Sequence, residues 1–268
     1  MTLDDDRVSE VSRRLRSRCD AILGAVWFMP SARSLPQLAA RVACCGQVSG
    51  AVAAALLAPM RAEVVRAEVD DAWRTTDPAT LLSARLAGAT AFLADALDSE
   101  DPPGVERAVA IFRPALESAP VAGHPVFAGL RSLTWPGTPL GDLWRASDMV
   151  RERRGDSHRN AWQAAGFGSL EIQLLTERWR TRPNPGSTTA VGLGWPAAEI
   201  EGALDGLRER QLVHDGGALT DEGRHVRDEI ELATDRQERP LVAALGADSD
   251  ELLGLLTPWA QAVVPARL

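Results

Sequence analysis

The sequence predicts a mostly all-α chain, with a helical bundle over residues 1–165 and a C-terminal segment over 166–268 whose helices flank one short β-hairpin. Three observations carry this. Apolar residues recur at spacings of three and four through most of the chain. The composition shifts after Arg180, and Thr181 to Thr189 reads as a loop of Arg, Pro, Asn, Gly, Ser and Thr. Leu212-Val213 and Ala218-Leu219 enclose Asp215-Gly216-Gly217, the pattern of a tight hairpin.

The first helix is expected from Asp4 to Leu23, with Val8, Val11, Leu15, Cys19 and Ile22 on one stripe. Leu35–Cys44, Gln47–Leu57 and Met60–Trp73 follow. The second of these is so rich in Ala, Val and Leu that burial on most sides is expected. Asp77-Pro78 opens a helix to Leu97, with Pro in the first turn, and Val105–Glu117 is the next. A long helix spans Leu140 to Ala165, begun by Thr138 and Pro139 and ended by Gly166 and Gly168. Beyond the loop come Pro196–Gln211, the hairpin, a helix capped by Thr220 to about Arg236, and Asp250–Val263.

Composition removes several chemistries. All 29 basic residues are Arg, and Tyr is absent. Lysine Schiff bases, lysine-anchored pyridoxal phosphate and a Walker-type phosphate loop are thereby excluded, as is a Tyr general acid. The net charge of −8 argues against a generic affinity for phosphate backbones. No run is read as a membrane span, and the acidic N-terminus lacks a signal pattern, so a cytoplasmic location is expected. Cys19, Cys44 and Cys45 form no disulfide framework. His124, read as a loop residue, and His214 and His225 are scattered, with no paired-ligand spacing, so no metal and no cofactor is expected.

Two stretches resemble known families. Leu204-x-x-Leu207-Arg-Glu-Arg-Gln-Leu212-Val213, a tight turn, then Leu219-Thr220-Asp-Glu-Gly223-Arg224, resembles the end of a MarR-type winged helix over residues 166–236. The resemblance implies a C-terminal winged-helix segment whose recognition helix is Pro196–Gln211. Arg41-Val-Ala-Cys-Cys-Gly46 and Leu143 to His158, with its Arg151-Glu152-Arg-Arg154-Gly155-Asp156-Ser-His158 run, are similar to helix-turn-helix or MarR-like proteins of high-GC bacteria. Cys44-Cys45 stands where that group has Pro-Leu or Pro-Met, and Arg153 where it has its first His. The match implies a fold and marks positions; it implies no activity. Residues 196–211 carry four acids against two Arg, and residues 212–224 carry three against one, each a net −2. A reading helix and a wing that meet phosphates should be basic, so DNA binding is not the expected role.

The long helix is chemically unusual. Trp144, Asp148, Arg151, Gly155, His158 and Trp162 fall at spacings of 4, 3, 4, 3 and 4, which places them on one seam. Such a seam normally holds Leu, Ile or Val. A buried charge must be paired or must meet a ligand, and Asp148 and Arg151 are close enough in sequence to pair with one another. Gly155 costs about 1 kcal/mol against Ala in a helix interior, and its bare backbone would admit a close approach. Residues 145–159 hold five Arg and three acids, a local excess of positive charge suited to an anion.

Two readings of the seam stay open. One is structural: a salt bridge, a satisfied core histidine and solvated arginines. The other is a small-molecule pocket between the bundle and the C-terminal segment, lined by Arg151, Arg154, Trp144, Gly155, Trp162 and Arg41. His158 and Asp148 are its candidate catalytic groups, for a cofactor-free acid/base isomerase, cyclase or lyase of small-molecule metabolism or biosynthesis. The alternative function is a ligand-responsive, MarR-like DNA-binding regulator, a homodimer through the Asp4–Leu23 helix.

Overall fold

The computed structural model describes residues 3–23, 35–180 and 188–263, and every regular element among them is helical. Helix α1 (Asp5–Leu23) buries the stripe of Val8, Val11, Leu15, Cys19 and Ile22 along its length. That stripe packs inside the same chain, against α8 (Pro139–Ala164) and α14 (Ser249–Val263).

α2 (Gln37–Val42) runs into a tight turn at Ala43–Cys45, and α3 (Gly50–Leu56) pairs with α4 (Ala62–Ala72). Ala39, Ala53, Val65 and Val69 form their small core. α3 is not buried all round as its composition suggested; Ala53 and Ala54 face inward while Val52 is exposed. α5 (Pro78–Leu97) starts at Asp77, whose carboxylate accepts the Thr80 N–H at 3.0 Å. By length and composition α5 is apolar enough to cross a membrane, contrary to the expectation that no run would be. Here its stripe of Leu81, Arg85, Ala89 and Leu93 is buried, and the helix packs against α8.

α6 (Val105–Ser118) and α7 (Pro125–Ser132) complete the first group. The sequence reading had no helix at α7 and placed His124 in a loop. Pro125 instead occupies the first helical position, where a fixed φ and a missing N–H are assets, and His124 is buried just before it. α9 (Ser169–Trp179), α10 (Thr188–Gly192), α11 (Ala197–Glu209) and α12 (Asp221–Gln237) gather around Trp162, Phe167, Leu174, Leu207 and Ile230. The loop expected from Thr181 lies outside the described residues as far as 187; Thr188 and Thr189 already belong to α10. α13 (Arg239–Leu245) and α14 then return to the first core, where Leu241, Leu252 and Leu256 join Phe112, Phe127 and Leu143.

The β-hairpin, and with it the wing, is not formed. Val213 and Leu219 make one isolated antiparallel bridge and no strand. The arms are short and hold only that bridge, flanked by the His214 N–H to Ala218 carbonyl bond at 2.8 Å and the Thr220 N–H to Leu212 carbonyl bond at 3.1 Å. The Leu212 N–H bonds back to the Leu207 carbonyl, closing α11, and Thr220 caps α12 by accepting the Gly223 N–H at 2.9 Å. Gly223 is needed there because a Cβ would run into the Leu212 carbonyl. The Leu-Thr-x-x-Gly segment therefore fastens α12 to the end of α11 without any sheet.

α8 is the hub. It is touched by α1, α5, α6, α7 and α12, so polar residues on all of its sides are enclosed.

Candidate functional site: an arginine-walled cavity along α8

The charges on α8 are paired with residues distant in sequence. Asp148 is fully buried and accepts from both terminal nitrogens of Arg85, at 2.7 and 3.3 Å, so its partner is not Arg151. Arg85 also lies over the Trp144 ring, 5.0 Å from its centre. Trp144 belongs to the first core and Trp162 to the second; both are buried, and neither indole N–H has a partner among the described residues.

Arg151 turns the other way, to Glu152 at 2.7 Å and Asp20 at 3.3 Å. Arg41 clasps the same Glu152 through Nε and Nη2, at 2.8 and 3.0 Å. Burial alone would raise the Glu152 carboxyl, but Arg41 and Arg151 outweigh it and hold the group below the usual carboxylate range. Arg154 donates to Ser12 at 3.2 Å, to Asp235 at 2.7 Å and to Glu231. Arg227 on α12 donates to the other Glu231 oxygen at 2.8 Å. Glu231 is likewise held low: burial opposes ionisation, and Arg154 and Arg227 overcome it.

His158 faces α12. Its Nδ1 lies 3.1 Å from Thr234 Oγ1. Burial, reinforced by Arg227, pushes the imidazole down to about 3, so it is neutral at pH 7. Asp156 accepts the Phe127 N–H at 3.1 Å and pairs with Arg159; it does not meet His158. Among the described residues no acid hydrogen-bonds His158 from behind, which a histidine general base normally requires.

A cavity of about 430 Å³ opens beside this face of α8. Of the residues singled out in the sequence, Arg41, Arg151, Arg154, Gly155 and His158 line it, whereas Trp144, Asp148 and Trp162 do not. α1 contributes Arg16, α9 contributes Ile172 and Thr176 with Arg180 just beyond, and α12 contributes Arg227 and Glu231. The turn Leu57-Ala58-Pro59-Met60 and Leu193 supply an apolar end of the lining. Two contacts close that end: the Arg61 N–H to the Leu193 carbonyl at 3.4 Å, and Trp195 Nε1 to the Pro59 carbonyl at 3.3 Å. A wider hollow of about 680 Å³ lies between α1 and α14 and is lined by none of the residues marked in the sequence.

Gly155 is the least constrained member of the wall. A Cβ there would lie 3.7 Å from Arg159 Nη1 and 3.8 Å from Glu152 Oε2, ordinary contact distances. Packing therefore does not demand glycine at this point in the helix.

Arg16, Arg159, Arg180, Arg227 and Glu231 also line the cavity, and the sequence does not single them out as ligand-binding residues. The same spacing test that marked α8 would have marked α12. Arg227, Glu231, Thr234 and Glu238 recur at 4, 3 and 4, and all four are buried.

The exposed face of α11 is acidic, and its arginines are occupied. Arg208 pairs with Asp205 at 2.6 Å, and Arg210 pairs with Glu171 at 3.1 Å and lies over Phe167. The start of α11 is tied to the bundle by Arg61 and Glu199, at 2.9 Å.

A family model described as a helix-turn-helix family matches residues 12–268, nearly the whole chain, and the chain belongs to that family. No curated protein and no solved structure matches it.

Proposed function

We propose that this helix-turn-helix family protein binds an anionic small molecule in the cavity between α8, α12 and the Leu57–Met60 turn. The observation that carries the reading is charge. Seven arginines line the cavity. Among the described residues, five carboxylates pair with them: Asp20, Glu152, Asp156, Glu231 and Asp235. Among those residues the wall thus carries two positive charges in excess, on a protein of net charge −8. An enclosed positive region of low polarisability concentrates anions. The volume is that of an ordinary ligand site, and the apolar end suits a ligand with a carbon body. Binding is proposed in preference to acid/base catalysis. Asp148 is locked away from the cavity by Arg85, and a histidine held near 3 is a weak base.

The test is a thermal melt of the full chain at fixed ionic strength with 3-phenylpropanoate and with 3-phenylpropan-1-ol. A bound ligand stabilises the native state in proportion to its occupancy. The acid should raise the melting temperature and the alcohol should not. Equal effects, or none, would remove the reading.

Family membership favours a second reading, a ligand-responsive DNA-binding regulator of MarR type, with the same cavity as its sensor. The acidic, already paired face of α11 places it second. A retardation assay at low salt with DNA upstream of the gene decides between the two. Retention that weakens with added salt would make this the leading reading.

A further inference from the structure

The ligand class can be narrowed, on the premise that the cavity binds an anion, from the hydrogen bonds of His158. Thr234 has one hydroxyl proton and donates it to the Ile230 carbonyl at 2.8 Å. Its oxygen can then only accept from His158, so Nδ1 carries the ring proton. In a neutral imidazole the opposite nitrogen, Nε2, is an acceptor. Nε2 has no partner among the described residues, and His158 is part of the cavity wall. The remainder of that wall's polar surface is dominated by guanidinium donors. One lone pair thus stands open in a site otherwise built to donate.

An anion would be repelled by that lone pair, so a ligand group that pairs with it is a donor. Position fixes how far this donor lies from the acid. Arg151 and Arg159 stand one helical turn before and after Gly155, and His158 is three residues beyond it. Residues three and four apart on a helix are neighbours, about 5–6 Å between their Cβ atoms. Glu152 Oε2 lies 3.8 Å from the place of a Gly155 Cβ, so an acid group seated there shares Arg151 and Arg159 with the carboxylates that already pair with them. It places a donor on His158 only if the two lie within a few bonds of each other.

We propose that the cavity takes a hydroxy acid of apolar body, with the acid over Gly155, a hydroxyl on the second or third carbon donating to His158 Nε2, and the carbon chain against Leu57, Met60 and Ile172. His158 is then the residue that sets specificity. A site built to pair a hydroxyl rejects the analogue that lacks it far more strongly than an apolar pocket rejects an extra methylene.

The test compares matched probes by calorimetric titration of the full chain: 3-phenyllactate against 3-phenylpropanoate, and 3-hydroxydecanoate against decanoate. The hydroxylated member of each pair should bind at least tenfold more tightly. His158→Phe should erase the difference between the two members of each pair, and His158→Gln, which retains an acceptor, should restore part of it. Melting temperatures of both variants identify any that fail to fold. If both members of each pair bind wild type equally, the hydroxyl assignment is wrong and the anion site stands. If none of the four acids binds, the anion reading fails with it.

Discussion

Arg85 on α5 and Asp148 on α8 meet through two hydrogen bonds, 2.7 and 3.3 Å long, with both side chains inside the core. Breaking one side of such a pair strands the other charge. Asp148→Asn should therefore destabilise the protein by about 3–5 kcal/mol. Replacing both partners together, with Arg85→Met and Asp148→Leu, should recover most of that loss. Denaturant unfolding of the two variants checks this, and a loss below about 1 kcal/mol for Asp148→Asn would show that the pair is not desolvated.

Arg145 has the opposite situation one turn earlier. It is buried, and its Nε and Nη1 find no hydrogen-bond partner among the described residues. Burial lowers its affinity for the proton, and Arg85 opposes the support that Asp148 and, more weakly, Asp142 give the charge. Arg145→Met keeps the length of the side chain and removes unsatisfied donors that cost about 1–3 kcal/mol. The variant should melt higher than wild type by scanning calorimetry; a lower melting point would mean that Arg145 has a partner that binding or assembly provides.

Stability should fall with acid in two stages. His158 titrates near 6.5 when unfolded and near 3 when folded. Between those values the unfolded chain binds a proton that the folded chain refuses. The contribution is complete above pH 6.5 and is lost as the pH drops towards 3. Glu152 and Glu231 are held below their ordinary 4.5, so their contribution is present above about that pH and disappears below it. Urea midpoints from pH 7.5 to 4.8 isolate the histidine stage, to which His124, also lowered by burial, contributes. His158→Gln should make it shallower, and an unchanged slope would show that His158 is not buried as described.

The sequence discloses the helices through periodicity, because a 3.6-residue repeat of Val, Leu and Ile survives without any knowledge of partners. α1 is the plainest case: all five stripe residues are buried as its spacing implies. α7 is illegible by that route, since it is short and opens on a proline that also begins loops. The hairpin failed for a related reason. Asp215-Gly216-Gly217 is a sound turn, but α11 ends at Glu209 and α12 starts at Asp221, and the short arms left between them hold one bridge and no strand. For the cavity, the seam on α8 pointed to Arg151, Arg154, Gly155 and His158. Spacing alone could not reveal that Asp148 has Arg85 within reach, or that Arg227 and Glu231 arrive from a helix about seventy residues later. Side-chain partners across helices are a tertiary fact.

The measurement that bears most directly on the anion cavity is a calorimetric titration of 3-phenylpropanoate into wild type, Gly155→Leu and Met60→Trp. Gly155 lies at the charged end and Met60 at the apolar end, and both line the space. Bulk at either end should abolish binding while the melting temperature stays within a few degrees of wild type. Binding of equal strength in all three proteins would place the acid elsewhere and contradict the account.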